Sequence, residues 1–127
     1  MDQLIYDEES QEELKKWISE RTKVNYPNSI CIGLARDGVL IACVCYQCFK
    51  DGVFVHIALD KPLTKAFLKV IFDYPFNKVK TDRIIGLVPK DNLKAIKLNE
   101  KLGFRLMQHD ETMVYQMVKN ECKWLKE

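Results

Sequence analysis

Asp82-Arg-Ile-Ile-Gly-Leu-Val-Pro-Lys-Asp-Asn-Leu-Lys-Ala-Ile-Lys-Leu-Asn-Glu-Lys-Leu-Gly-Phe104 is the stretch on which the fold turns. Ile84 to Val88 is a short apolar run, the pattern of a buried strand. Pro89 lacks the N–H that a central strand needs, so the strand stops there. Asp91 and Asn92 are both good helix N-caps. A helix of about three turns follows and ends at Gly103, a residue suited to the left-handed position just past a helix. Phe104 then opens another strand. The unit is strand, cap, helix, glycine, strand.

Within that helix, Ala95, Leu98 and Leu102 share one face. Asn92, Ala95 and Asn99 form a stripe along its edge at i, i+3 and i+7. A small residue between two amides leaves room for a ligand along that edge. A capping Asn92 and a partly solvated Asn99 account for the same residues without one.

Val88-Pro-Lys-Asp-Asn92, Ala95 and Leu98-Asn-Glu-Lys-Leu-Gly-Phe104 together resemble the C-terminal motif of the GNAT N-acetyltransferases. That motif is a strand, then Asn, two residues, Ala, two residues, and Leu-Tyr-Glu-Lys-Leu-Gly-Phe. Asn99 stands where the family has Tyr. The likeness is strong over this quarter of the chain and extends to the rest through the order of elements.

The chain's 127 residues suit one domain, 1–127, with a sizeable core. Hydrophobic residues at 47% and charged residues at 30% are ordinary for a globular protein. A net charge of +2 is too small to argue for nucleic acid or a membrane surface. No apolar run approaches the ~18 residues a spanning helix needs, and the acidic N-terminus lacks the apolar core of a secretory signal. Cys31, Cys43, Cys45, Cys48 and Cys122 are odd in number, which disfavours a disulfide framework. Cys45 and Cys48 form a C-x-x-C, but no second pair and no nearby His completes a zinc site. The expectation is structural, free cysteine, no metal, and a reducing cytoplasm. A redox or metal protein built on Cys45 and Cys48 is the weaker alternative.

Along the chain, a short edge strand is expected around Leu4 to Tyr6. Ser10-Gln-Glu-Glu13 has the spacing of a capping box, and Leu14, Trp17, Ile18 and Arg21 continue it as a helix. Ile30 to Ala35, Val39 to Phe49 and Val53 to Leu59 read as a three-strand meander, turned at Arg36-Asp-Gly38 and Lys50-Asp-Gly52. Asp60 as N-cap and Pro62 in the first turn open a second amphipathic helix, which Pro75 ends. Phe104 to Gln108 and Thr112 to Val118 are two last strands, and the tail after Asn120 either docks or frays. The fold class is α+β: a mixed, predominantly antiparallel central sheet with helices on both faces, similar to the GNAT fold with a shortened first helical region.

The resemblance implies acetyl-CoA as cosubstrate, lying between the third meander strand and the strand before the Asn helix. Pantetheine would run along Ile57, Ala58 and Leu59, with Asn92 touching the cosubstrate. The pyrophosphate would sit at the start of the next helix, where free N–H groups and the helix dipole favour an anion. The family's glycine-bearing phosphate loop has no match here: Leu59, Asp60, Pro62 and Thr64 fall near its positions. Lys61, Leu63, Thr64 and Lys65 are the candidates at this end, and a capped surface helix with solvated lysines is the alternative. His56 lies where some members carry a catalytic carboxylate. It is a candidate base, or equally a packed core histidine. Asn99, at the Tyr position, cannot donate an ionisable proton; water, Tyr74 or the thiolate's own basicity would replace that acid. His56-Ile-Ala, then Pro62-Leu-Thr-Lys65 and Phe72-Asp-Tyr-Pro-Phe76, add a finer likeness to a small acetyltransferase branch of tailed-phage genomes.

Two functions follow from the resemblance. One is transfer of acetyl from acetyl-CoA to a primary amine of a small molecule or protein. The other is a catalytically degenerate module that binds CoA or a protein partner. The acceptor and the oligomeric state, monomer or dimer, are not encoded in any motif.

Overall fold

The computed structural model describes residues 1–50 and 52–125. Its strands are β1 (Asp2–Ile5), β2 (Ile30–Arg36), β3 (Val39–Phe49), β4 (Gly52–Leu59), β5 (Arg83–Pro89), β6 (Arg105–His109) and β7 (Thr112–Val118). The main helices are α1 (Gln11–Thr22), α2 (Lys65–Asp73) and α3 (Leu93–Leu102). Among the described residues the strands form one sheet, in the order β1-β2-β3-β4-β5-β7-β6. Every neighbouring pair is antiparallel except β4 and β5. This is the expected α+β architecture.

Helices cover both faces. Leu14 and Ile18 of α1 close a small core with Tyr26, Cys31, Cys43, Cys45 and Ala58. A Cβ on Gly33 would meet Leu14 Cδ2 at 2.5 Å, so glycine lets α1 lie this close to β2. The opposite face carries the larger core, in which Phe67, Ile71 and Phe72 of α2 and Leu102 of α3 pack on the sheet. The tail docks: Trp124 Nε1 donates to the Leu102 carbonyl at 2.8 Å. No helix among the described residues is long and apolar enough to cross a membrane.

The decisive stretch folds as its residues dictate. Asn92 Oδ1 accepts from the Ala95 N–H at 3.2 Å, and Gly103 takes φ 101°. The β2–β3 hairpin turns on Asp37 (φ 53°) and Gly38 (φ 84°), the two positive φ values a tight hairpin needs. In the second turn Asp51 lies outside the described residues.

Four expectations are corrected. Ser10 makes no side-chain cap on α1; its hydroxyl donates to Asp7 Oδ2 at 3.0 Å, and a short 3₁₀ turn, Glu8–Ser10, leads into the helix. Asp60 does not cap α2. Its carboxylate is taken by Arg21 of α1, Nε to Oδ1 at 3.0 Å and Nη2 to Oδ2 at 2.8 Å. The helix therefore starts four residues later, capped by Thr64, and Pro62 stays outside it. Pro75 stands inside a wide π turn, Tyr74–Lys78, that continues past α2. Cys45 is not free but bonded to Cys31. The two are cross-strand partners, a non-local pairing that spacing along the chain does not reveal, and the cysteine count therefore no longer argues for a reducing compartment. Cys45 and Cys48 point to opposite faces, as residues three apart in a strand must: one is buried, the other exposed. The sulfurs of Cys31, Cys43 and Cys45 lie within 4.8 Å of one another, but the disulfide takes two of them out of metal ligation.

Candidate active site

The site begins where the sheet opens. Among the described residues β4 pairs with β5 only at Val53↔Ile84 and Phe54↔Ile85. Beyond that point β4 stays on β3 as far as Leu59↔Ala42, and β5 stays on β7 as far as Pro89↔Thr112. Each strand keeps its outer neighbour and loses its inner one. The inner backbone edge of residues 55–59, which includes Ile57, Ala58 and Leu59, is left without a ladder partner from β5. Unpaired strand edges accept an extended chain of alternating amides and carbonyls, and a pantetheine arm is such a chain. Ile57 and Leu59 turn their side chains to the large core and Ala58 to the small one.

The mouth of this gap is basic. Thr64 Oγ1 accepts from the Phe67 N–H at 3.1 Å, and the Thr64 carbonyl accepts from Leu68 N–H at 3.0 Å. The N–H groups of Lys65 and Ala66, in the first turn, have no intrahelical carbonyl to bond. Leu63 packs on the large core and anchors the loop, while Lys61 and Lys65 are exposed beside it. Hydrogen bonds from Arg21 hold the Asp60 carboxyl below its usual range, and Lys94 of α3 and Lys61 add to this through their charge. Asp60 is thus neutralised by a guanidinium, and Lys61 and Lys94 bring further positive charge close to it. The set fits a CoA pyrophosphate through helix N–H groups and side-chain cations, without the close backbone approach that glycines would allow. Asn92, exposed, spends its Oδ1 on the cap of α3.

His56 and Asn99 flank the throat from opposite faces. His56 is opposite Cys45, on the α1 side. Its ring lies 4.4 Å from that of Tyr26, tilted by 34°. Its Nε2 is 2.8 Å from Gln47 Oε1. Burial pushes its pKa down from 6.5 to about 4, so the ring is neutral near pH 7; the near-neutral value expected from the residue type is not what this environment produces. Asn99, on α3, lies over β5 at Gly86, one residue past the last β4–β5 pair. A Cβ on Gly86 would stand 2.8 Å from Asn99 Oδ1. The amide turns back on its own helix, Nδ2 donating to the Ala95 carbonyl at 2.8 Å. Tyr74 packs against Tyr46 at 4.9 Å, and burial, then Cys48, raises its pKa. Tyr46 is opposite Val55, the first residue of β4 past its pairing with β5.

Gln47, Tyr26 and Gly86 were not singled out in the sequence, nor was the Arg21–Asp60 pair. Gln47 carried a signal: it is a lone amide in the apolar run from Val39 to Phe49. Tyr26 and Gly86 carried none, because their partners are distant in the chain.

The GNAT acetyltransferase domain family matches residues 3–120. No curated protein sequence matches the chain. Solved structures share its fold at low identity. The Campylobacter jejuni N-acetyltransferase PseH, in complex with acetyl-CoA, has a TM-score of 0.66 at 14% identity, over 94% of this chain and 99% of that one. An Escherichia coli ribosomal-protein alanine N-acetyltransferase scores 0.69 at 17% identity, over 93% and 94%. A chimera of the Vibrio cholerae spermidine N-acetyltransferase SpeG with hSSAT scores 0.70 at 14% identity, over 98% of each chain. With the family matched over residues 3–120, nearly its whole length, the chain belongs to the GNAT acetyltransferase family.

Proposed function

We propose that this protein transfers acetyl from acetyl-CoA, the family's cosubstrate, to a primary amine. The observation that carries this reading is the one-sided opening between β4 and β5, with His56 on one face of its throat and Asn99 on the other. Pantetheine pairs with the inner edge of Ile57 to Leu59, and its pyrophosphate meets Lys61, Thr64 and Lys65. Asn92 contacts the cosubstrate near its cap. The neutral amine attacks the thioester carbon; the nitrogen, acidified by bonding to carbon, passes its proton to neutral His56. The tetrahedral intermediate collapses, expelling the CoA thiolate, which takes up a proton from His56 or water. A β4 backbone N–H near Ile57 polarises the carbonyl as charge develops on its oxygen. Membership of the small phage branch rests on the likeness of His56-Ile-Ala, Pro62-Leu-Thr-Lys65 and Phe72–Phe76.

A second reading has its own observation. Asn99 has no ionisable proton and bonds its own helix, so the thiolate leaves without the family's acid. On this reading the domain binds CoA and acts through a partner.

Calorimetry with CoA tests the binding mode common to both. Wild type should bind at one site per chain. Lys61→Glu with Lys65→Glu should weaken binding by about a hundredfold or more at low salt, since each of the two charged contacts is worth on the order of 1.5–3 kcal/mol, and the difference should shrink as salt rises. Equal affinity in the double variant would remove the phosphate site from this end of α2.

A further inference from the structure

We propose that Gln47, itself held by the carbonyl of Pro27, is a positioning residue that locks His56 as the Nε2–H tautomer and leaves Nδ1 as the atom that takes the acceptor's proton. This rests on the acetyl-transfer reading for its catalytic consequence; the orientation of the Gln47 amide and the donation from Nε2 stand on geometry, and the neutrality of the ring on its burial.

The argument starts at the far end of the chain of bonds. Gln47 Nε2 lies 3.1 Å from the Pro27 carbonyl. A carbonyl oxygen only accepts, so the Gln47 atom facing it is the NH₂ group. That fixes the orientation of the amide, and its Oε1, which also only accepts, is the atom 2.8 Å from His56 Nε2. The imidazole must therefore donate from Nε2. A neutral imidazole carries one N–H, so the lone pair is on Nδ1.

The ring plane is fixed by a second set of contacts. Tyr26 stacks on it. The Tyr26 hydroxyl donates to Thr22 Oγ1 at 2.8 Å, Thr22 donates to the Ile18 carbonyl at 3.0 Å, and the Ser29 hydroxyl holds the Tyr26 carbonyl at 2.7 Å. The C-terminal turn of α1 and the loop after it thus clamp the base. The groups that face His56 are uncharged near neutral pH. From β3 they are Gln47 and Cys45, whose thiol is consumed in the disulfide; from the loop there is Tyr26, whose phenol pKa burial raises. No carboxylate among these partners competes for the Nε2 proton or pulls the ring towards imidazolium. When Nδ1 takes the proton, the bond to Gln47 Oε1 is kept and strengthened by the new charge. The ring need not turn between its neutral and protonated states, which is the preorganisation that proton transfer benefits from.

The experiment is long-range ¹⁵N–¹H correlation NMR of the histidine rings in the free, full-length protein at neutral pH, with Gln47→Leu and Gln47→Glu alongside. Wild-type His56 should show a protonated Nε2 and a bare Nδ1. Gln47→Leu should give a mixed or reversed tautomer. It should also lower kcat by about tenfold, a part of what a general base contributes, with KM for acetyl-CoA unchanged. Gln47→Glu should keep the Nε2–H tautomer and raise the pH at which the ring titrates, because a carboxylate favours imidazolium. A wild-type ring protonated on Nδ1, or an unchanged tautomer in Gln47→Leu, would overturn the proposal. Should Gln47→Leu lose its dispersed amide spectrum, Gln47→Glu decides alone: an unshifted titration contradicts the lock. An Nε2–H ring in a protein that acetylates no amine would instead count against the acetyl-transfer reading and leave the assignment of the ring in place.

Discussion

His56→Ala should lower kcat for acetyl transfer by a factor on the order of 10²–10⁴, the usual contribution of a positioned general base, while acetyl-CoA still binds with wild-type affinity. The separation follows from placement. His56 points from β4 to the α1 side, whereas the proposed cosubstrate site is the β4 edge and the start of α2. The pH profile should carry a second mark. With a pKa of about 4, His56 is already deprotonated throughout the neutral range. Its limb in kcat/KM should fall near that value, and any limb at higher pH belongs to the acceptor's ammonium, which so weak a base cannot deprotonate before attack. Stability moves with the same group. Its folded pKa lies below the 6.5 of the free side chain, so its contribution is whole above about pH 6.5 and is lost as pH falls towards 4, by up to about 3 kcal/mol. In denaturant titrations between pH 7 and pH 4, the stability of wild type relative to His56→Gln should therefore fall as pH falls. Unchanged turnover in His56→Ala would remove it as the base.

Phe67→Ala should cost about 3–5 kcal/mol, as loss of a fully buried phenyl ring does. For a domain of this size that is a fall in Tm of roughly 10–20 °C. Phe67 is 1% exposed in the large core, and its N–H is the one capped by Thr64. It couples packing to the proposed site: the ring that packs α2 on the sheet belongs to the same turn as Lys65, a proposed phosphate contact. Thermal unfolding with and without CoA separates the two effects. Tm should fall in both conditions, and the stabilisation added by CoA should be smaller than in wild type. A loss of under 1 kcal/mol would mean that α2 is not seated as described.

What the sequence made legible was local. The unit from Arg83 to Phe104 could be read because each boundary has a residue with one physical reason to be there: Pro89 stops a strand, Asn92 caps, Gly103 takes positive φ. The opening between β4 and β5 was expected from the family resemblance, and the register bears it out. The start of α2 was misread because Asp60 is as good a cap as Thr64 by type. What decides is Arg21, 39 residues away, which takes the Asp60 carboxylate. The Cys31–Cys45 bond and the Gln47–His56 contact fail the same test: both are set by strand register, where one residue of slip would send each side chain to the other face. His56 itself was visible as a residue type, but its depressed pKa was not, since that is a property of the burial around it.

The most direct test of the account is release of CoA thiol from acetyl-CoA by wild-type protein across a panel of amines, with each acceptor's mass followed in parallel. The panel should span alkylamines, a polyamine, amino sugars and peptides with free N-termini. The account predicts at least one acceptor that gains a single acetyl group in step with thiol release, with the rate collapsing in His56→Ala and holding or rising in Asn99→Tyr, which restores an acid at the throat. Acetyl-CoA bound tightly in the gap, but turned over with no amine by either wild type or Asn99→Tyr, would contradict it and leave a domain that binds CoA without using it.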